Sequence, residues 1–229
     1  MIASLGTHCF TAHLFKSLPF QRVKSPFDWL FSCPAMVTHV LSDNFNLLMD
    51  PSQQVTVPIE RRPNPNFGLS DHPFYRRMGV PSAVFNHHDV VGDASDRKYL
   101  RDVVEQFRSM PRNVKKLFVL VTVWPADISV YRSIQKALEQ YGDHSLLILD
   151  VLGPGESNLQ KVVDEEAFEL FRYVPHTDLI GIHFGDDRDF QMLREIVMTR
   201  IPEGTPLHDP SVEDDTPYLP VTASPAPNQ

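Results

Sequence analysis

The sequence predicts a three-layer α/β/α domain whose central sheet is mostly parallel. Short apolar and β-branched runs alternate with stretches in which apolar residues recur at helical spacing, a pattern typical of repeated strand–helix units. Residues 117–123 are apolar at every position but one, as expected for a strand that is buried on both faces. These two observations favour an α/β sheet over an all-β sandwich.

The first strand–helix unit lies at the N-terminus. Residues 2–5 are predicted as a short strand, and Gly6-Thr7 marks the turn that follows it. Apolar residues then recur at helical spacing through residues 10–18, with Thr7 as the predicted N-cap. This arrangement places Cys9 in the first turn of the helix.

The later strand–helix units are predicted from the same two patterns. Each predicted strand is a short apolar run bounded by turn residues, and each predicted helix keeps one apolar face. Asp127 is a predicted helix cap, and residues 185–187 open the last helix. The predicted strands cover residues 83–85, 117–123, 146–152 and 179–184, and the predicted helices cover residues 99–110, 128–138 and 187–197.

The chain is predicted to form one domain over residues 1–201, followed by a disordered tail over residues 202–229. The tail holds seven of the twenty prolines together with five acidic residues, and it has no Lys or Arg. Residues 50–81 show no clear periodicity, so their structure and role stay open.

The formal net charge of -8 lies mostly in this tail, which leaves the body nearly balanced. Since the body has no basic stripe, we expect no nucleic-acid partner. No apolar stretch is long enough to cross a membrane, and the N-terminus does not resemble a signal peptide, so we expect a cytoplasmic protein without membrane contact. The sequence has no nucleotide-binding motif, so no cofactor is expected, and the oligomeric state is open.

Polar residues follow the predicted strands at the positions where parallel sheets carry their sites. If the strands are parallel, these residues share one edge of the sheet. They are His8 and Cys9 after the first strand, Asn86, His87, His88 and Asp89 after the second, Trp124 and Asp127 after the third, and Asp186 and Asp187 after the last.

Cys9 is the leading candidate nucleophile, because the positive end of a helix dipole stabilises a thiolate. We therefore expect Cys9 to react with a small alkylating agent near neutral pH. Cys33 precedes Pro34 at another helix start and follows an apolar segment, so it is predicted to be buried and inert. A buried, purely structural Cys9 is the alternative.

His87 and His88 are adjacent, so in extended backbone only one of them is expected to face the site. We prefer His88, which directly precedes Asp89. Asp28 lies between two large aromatic residues and is a candidate to orient a histidine, although an Asp that caps a turn fits equally well. The His and Asp clusters match no recognised ligand spacing, so no metal is expected.

Three motifs together resemble a family of domains described as papain-like cysteine peptidases. The motifs are a Leu-Gly-x-x-Cys at residues 5–9, a Pro-Phe-Asp-Trp block at residues 26–29 and a His-Asp pair at residues 88–89. The resemblance covers about residues 1–150 and implies Cys9 as nucleophile, His88 as general base, and Asp28 or Asp89 as orienting acid. It also implies a papain-like α+β fold, which conflicts with the strand–helix pattern and is kept as the alternative architecture.

These residues favour a cysteine-dependent hydrolase or acyltransferase that acts on a peptide, acyl or carbohydrate-linked substrate through a thioester. His8, Trp29, Asn86, His87 and Trp124 are the predicted substrate-binding residues. The first alternative is a non-catalytic module in which the same pocket binds a sugar or peptide and Cys9 is structural. A weaker alternative is a metal-dependent hydrolase that uses the His and Asp clusters.

Overall fold

A six-stranded mixed sheet forms the centre of the computed structural model, which describes residues 1–62 and 68–208. The ten strands are β1 (Ile2–Ser4), β2 (Arg22–Val23), β3 (Val55–Thr56), β4 (Ser70–Asp71), β5 (Lys116–Thr122), β6 (His144–Val151), β7 (Asn158–Glu165), β8 (Phe168–Val174), β9 (Leu179–Ile180) and β10 (His183–Phe184). The six α-helices are α1 (Phe10–Lys16), α2 (Pro34–Ser42), α3 (Pro73–Arg77), α4 (Ala94–Arg108), α5 (Ile128–Leu138) and α6 (Asp187–Met198).

The central sheet has the order β2-β1-β5-β6-β8-β7. Neighbouring strands from β2 to β8 are all parallel, and only β7 is antiparallel, as one arm of a hairpin with β8. From β1 the chain continues to β2 on one side, whereas β5 is followed by β6 on the other side. The direction of winding therefore reverses between β1 and β5, and this reversal is where ligands bind in open parallel sheets.

Helices cover both faces of the sheet. On one face, α2, α4 and α5 pack against inward residues such as Phe118 and Ile148. On the other face, α1 and α6 pack against residues such as Val119 and Leu149. This arrangement confirms the predicted three-layer α/β/α architecture, and the papain-like α+β alternative does not describe this mostly parallel sheet.

The predicted strands at residues 2–5, 117–123 and 146–152 are confirmed as β1, β5 and β6, and the helices at α1, α4, α5 and α6 are also present. The predicted strand at residues 83–85 is wrong. There, Phe85 forms an isolated bridge with Ser70, while the Val84 amide donates to the Asp71 carboxylate and the Val84 carbonyl accepts from the Phe31 amide. These contacts with loops satisfy its backbone in place of a strand ladder.

Residues 179–184 do not form one strand of the main sheet, because the chain reverses at Gly181, whose φ is 63°. They form the small β9–β10 hairpin instead. Strands β7 and β8 were not predicted from the sequence. The open segment at residues 50–81 contains the β3–β4 ribbon and α3.

The beginning of the predicted tail lies against the body. The Gln21 amide donates to the Pro206 carbonyl at 2.8 Å, and the His208 amide donates to the Pro19 carbonyl at 2.9 Å. The remainder of the predicted disordered tail, residues 209–229, lies outside the described residues. Among the helices of the described chain, none is both long enough and apolar enough to cross a membrane.

Gly142 joins α5 to β6 through a backbone conformation that only glycine adopts readily, with φ 86° and ψ −145°. A Cβ there would lie 2.2 Å from the Arg112 carbonyl oxygen. Replacing Gly142 with Ala is expected to lower the free energy of unfolding by about 2 kcal/mol or more, measured by urea denaturation. Gly153→Ala is the matched control, because a Cβ at that position meets no atom within 4 Å. Equal stability of the two variants would contradict this interpretation.

Candidate active site

The segment that leads into α1 lies at the carboxyl edge of the sheet, at the point where the winding reverses. The Leu5 amide donates to the Val119 carbonyl, and the Thr7 amide donates to the Val121 carbonyl. The chain therefore continues along β5 beyond the end of β1 before α1 begins. Trp124, two residues after β5, lies at this same edge. The edge beside the reversal of winding is the switch point, where parallel sheets usually bind ligands.

Gly6 and Thr7 shape the turn before α1. A Cβ on Gly6 would lie 2.3 Å from the Thr11 hydroxyl oxygen, so only glycine fits there. Thr7 was predicted as the N-cap of α1, but it does not cap the helix. Its hydroxyl donates to the Val121 carbonyl at 3.3 Å instead. The N-cap residue is Cys9 itself, with φ −59° and no side-chain capping bond. Thr7 thus anchors the turn to β5.

The Cys9 sulfur lies 3.2 Å from Nε2 of His87. Cys9 is buried, with 8% exposure, and His87 is partly buried. His87 reaches the thiol from the loop before α4, whereas Cys9 is presented by the start of α1. The fold therefore joins two segments almost eighty residues apart into a thiol–imidazole pair.

The imidazole beside Cys9 belongs to His87 and not to His88, which the sequence analysis preferred. Nδ1 of His88 lies 2.9 Å from Oδ1 of Asp96, and the His88 ring stacks on Tyr99 with a centroid separation of 5.0 Å. As expected for adjacent residues, one ring faces the site and the other faces the body. The roles are reversed because Asp96, in the first turn of α4, binds His88.

The two candidate orienting acids have other partners. Asp89 accepts from the Thr56 hydroxyl and the Gly92 amide, so it fixes its own loop. Asp28 is 1% exposed and accepts from Arg22 at 2.8 Å and from the Ser25 amide at 3.0 Å. Asp28 acts on the thiol through its charge, which adds to the rise in the Cys9 pKa.

His87, predicted to bind substrate, is itself a member of the pair, and the other predicted substrate-binding residues lie next to it. The Trp29 ring meets the His87 ring edge-on at 5.7 Å, and Nδ2 of Asn86 lies 3.4 Å from the same Nε2 that faces the sulfur. His8 meets the Trp124 ring at 5.8 Å. The sequence contains only two tryptophans, and both lie at this site.

Lys16 is a site neighbour that the sequence analysis missed. Its ammonium group lies over the Trp29 ring, 5.3 Å from the centroid. The signal was present in the sequence, because Cys9 and Lys16 are seven residues apart and such residues share one face of a helix.

Burial keeps the reactive groups uncharged near neutral pH. Burial, with a smaller contribution from Asp28, raises the pKa of the Cys9 thiol to about 12. Burial also lowers the pKa of His87 to about 4, helped by the neighbouring His88, and it lowers the pKa of His8 to about 4. Burial therefore opposes the thiolate that the helix dipole is expected to stabilise, and the reactivity of Cys9 stays a prediction.

Cys33 is buried as predicted. It occupies the N-cap position of α2 with 8% exposure, belongs to the core beneath α2, α4 and α5, and its thiol donates to the Met78 carbonyl at 3.5 Å. Burial raises its pKa as well. Since its contacts are with core and backbone atoms, Cys33 is the natural control for Cys9.

Within residues 1–62 and 68–208, no group of three or more His, Cys, Asp or Glu side chains is arranged to hold a metal ion. No protein-family model, curated protein or solved structure matches the chain. The resemblance to papain-like cysteine peptidases therefore stays a prediction, and the function has to be argued from the geometry of the site.

The low pKa of His87 predicts a pH dependence of stability. The unfolded chain binds a proton at this residue below pH 6.5, but the folded protein does so only below about pH 4, so stability falls as the pH drops through this window. Between pH 7 and pH 5, we expect His87→Gln to lose about 2 kcal/mol less unfolding free energy than the wild type. Urea denaturation at the two pH values measures this difference, and identical losses would show that His87 is not held neutral.

Proposed function

We propose that the protein is a cysteine-dependent hydrolase or acyltransferase in which Cys9 is the nucleophile and His87 is the general base. The observation that carries this proposal is the 3.2 Å contact between the Cys9 sulfur and Nε2 of His87 at the switch point of the sheet. A nucleophile within hydrogen-bond reach of its base is the basic geometry of covalent acyl transfer.

The resting pair is a neutral thiol and a neutral imidazole, so the proton moves as the bond forms. The thiol proton passes to Nε2 of His87 while the sulfur attacks the substrate carbonyl carbon. The resulting imidazolium returns this proton to the leaving group as the tetrahedral intermediate collapses to a thioester. Water in a hydrolase, or another nucleophile in an acyltransferase, then attacks the thioester with His87 again as base and releases Cys9.

The start of α1 supplies candidate donors for the oxyanion. The first amides of a helix have no acceptor within the helix, and the first intrahelical bond of α1 runs from the His13 amide to the Cys9 carbonyl. The amides of Cys9 and Phe10 therefore begin the helix beside the nucleophile. Donors at this position act on the negative charge that develops in the transition state.

The surrounding side chains suit recognition of the acyl group. Trp29 and Asn86 contact His87, and Trp124 with His8 forms the neighbouring wall. These residues give an aromatic surface with a few polar groups, which is the usual composition of a small-molecule or peptide site. Peptide, acyl and carbohydrate-linked substrates all fit this chemistry.

The second candidate function is a binding module without catalysis. The raised pKa of Cys9 and the placement of both tryptophans at the site favour it. In that case Trp29 and Trp124 bind the ligand, and the thiol is a buried neutral group. The two functions differ in whether Cys9 forms a covalent acyl intermediate.

Incubation with an activated ester, p-nitrophenyl acetate, tests the proposal. We expect one acetyl group on Cys9, identified by mass spectrometry of the intact and digested protein. His87→Ala is expected to lower the acylation rate constant about 100-fold or more, because the general base is lost. The rate is followed by release of p-nitrophenol.

The controls use side chains of the same types elsewhere in the chain. Cys33→Ser should acylate at the wild-type rate, whereas Cys9→Ser should not be labelled. His144→Ala removes an imidazole at the start of β6, on the opposite edge of the sheet from Cys9, and should leave the rate unchanged. Equal acetylation of both cysteines, or a wild-type rate in His87→Ala, would favour the binding module.

A further inference from the structure

A cavity of about 250 Å³ lies at the end of α1 beside the edge strand β2. Its apolar wall consists of Phe15, Leu18 and Phe20, and its polar lining residues are Lys16, Arg22 and His208. All three polar residues are basic types, although the chain has 29 acidic residues and only 21 Lys and Arg. The lining is therefore basic although the chain as a whole is acidic, and a basic lining suits an anion.

The basic residues are held by the fold. Arg22 is fixed by the buried Asp28 carboxylate at 2.8 Å, which offsets part of its charge. His208 is positioned by the hydrogen bond from its amide to the Pro19 carbonyl. Lys16 adds a charge from the last turn of α1. Lys16 and Arg22 beside an apolar wall form a site for an anionic group on an apolar stem.

A series of side-chain contacts connects this cavity to the candidate active site. Lys16 lies over the Trp29 ring, Trp29 meets the His87 ring, and His87 contacts the Cys9 sulfur. Along α1, Lys16 is seven residues from Cys9, which corresponds to about 10 Å of helix. A substrate of about three extended residues spans this distance.

We infer that the cavity binds the anionic end of the substrate, a phosphate or carboxylate on a short apolar stem, while the carbonyl of the same molecule lies at Cys9. This role in substrate binding rests on the proposed function of Cys9. The volume is below the range of a complete small-molecule pocket, so the cavity accommodates one end of a larger molecule.

The test is calorimetric titration of the full chain with butyl phosphate and, separately, with pentanoate. Lys16→Gln should weaken binding of the preferred anion about tenfold, because a charge-assisted hydrogen bond is lost. Lys136→Gln is the matched control, since Lys136 is exposed on α5 across the sheet and should bind like the wild type. Butylammonium, with the same stem and the opposite charge, should not bind.

Binding of either anion that depends on Lys16 supports the cavity as an anion site, and the stronger of the two identifies the head group. No binding of both anions, or equal affinity in Lys16→Gln and Lys136→Gln, would overturn it. Thermal denaturation checks that each variant is folded. The titration does not need a reactive thiol, so it is repeated with Cys9→Ala. Lys16-dependent binding without Cys9 acylation would overturn the proposed function alone.

Discussion

The burial of Cys9 beside His87 is the constraint on which the rest of the site depends. A thiolate and an imidazolium at this position would each lose their hydration, whereas a neutral thiol that donates to a neutral imidazole keeps one hydrogen bond without buried charge. Asp28 adds to this preference, because its negative charge opposes ionisation of the thiol. The site is consequently arranged for proton transfer during attack on a substrate and not for a permanently charged nucleophile.

The topology of the sheet places this pair. The segment between β1 and α1 is tied to β5 by the Leu5 and Thr7 amides, which fixes Cys9 at the reversal of winding. His87 lies in the long segment that connects α2 to α4. Its neighbour His88 is fixed by Asp96 and Tyr99. One histidine therefore anchors the loop to α4, and this anchoring allows the adjacent histidine to face the thiol.

Much of the architecture follows from the sequence, because β1, β5, β6 and the long helices have strong apolar periodicity. The burial of Cys33 was also predictable, since Cys33 follows an apolar run and precedes Pro34 at a helix start. The choice between His87 and His88 was not predictable. Adjacent side chains in extended backbone point to opposite sides, but this rule does not say which of the two points toward the site. That choice depends on Asp96, eight residues away. The hairpin of β7 and β8 was missed because charged residues interrupt its apolar pattern.

The protonation state of His87 tests the central claim most directly. Nitrogen NMR of the labelled imidazole distinguishes a neutral ring, with Nε2 accepting and Nδ1 carrying the proton, from an imidazolium. At pH 7 the neutral ring is expected, with an Nε2 resonance that shifts in Cys9→Ala because the thiol donor is gone. An imidazolium in the wild type that becomes neutral in Cys9→Ala would show a resting thiolate–imidazolium pair and contradict this account.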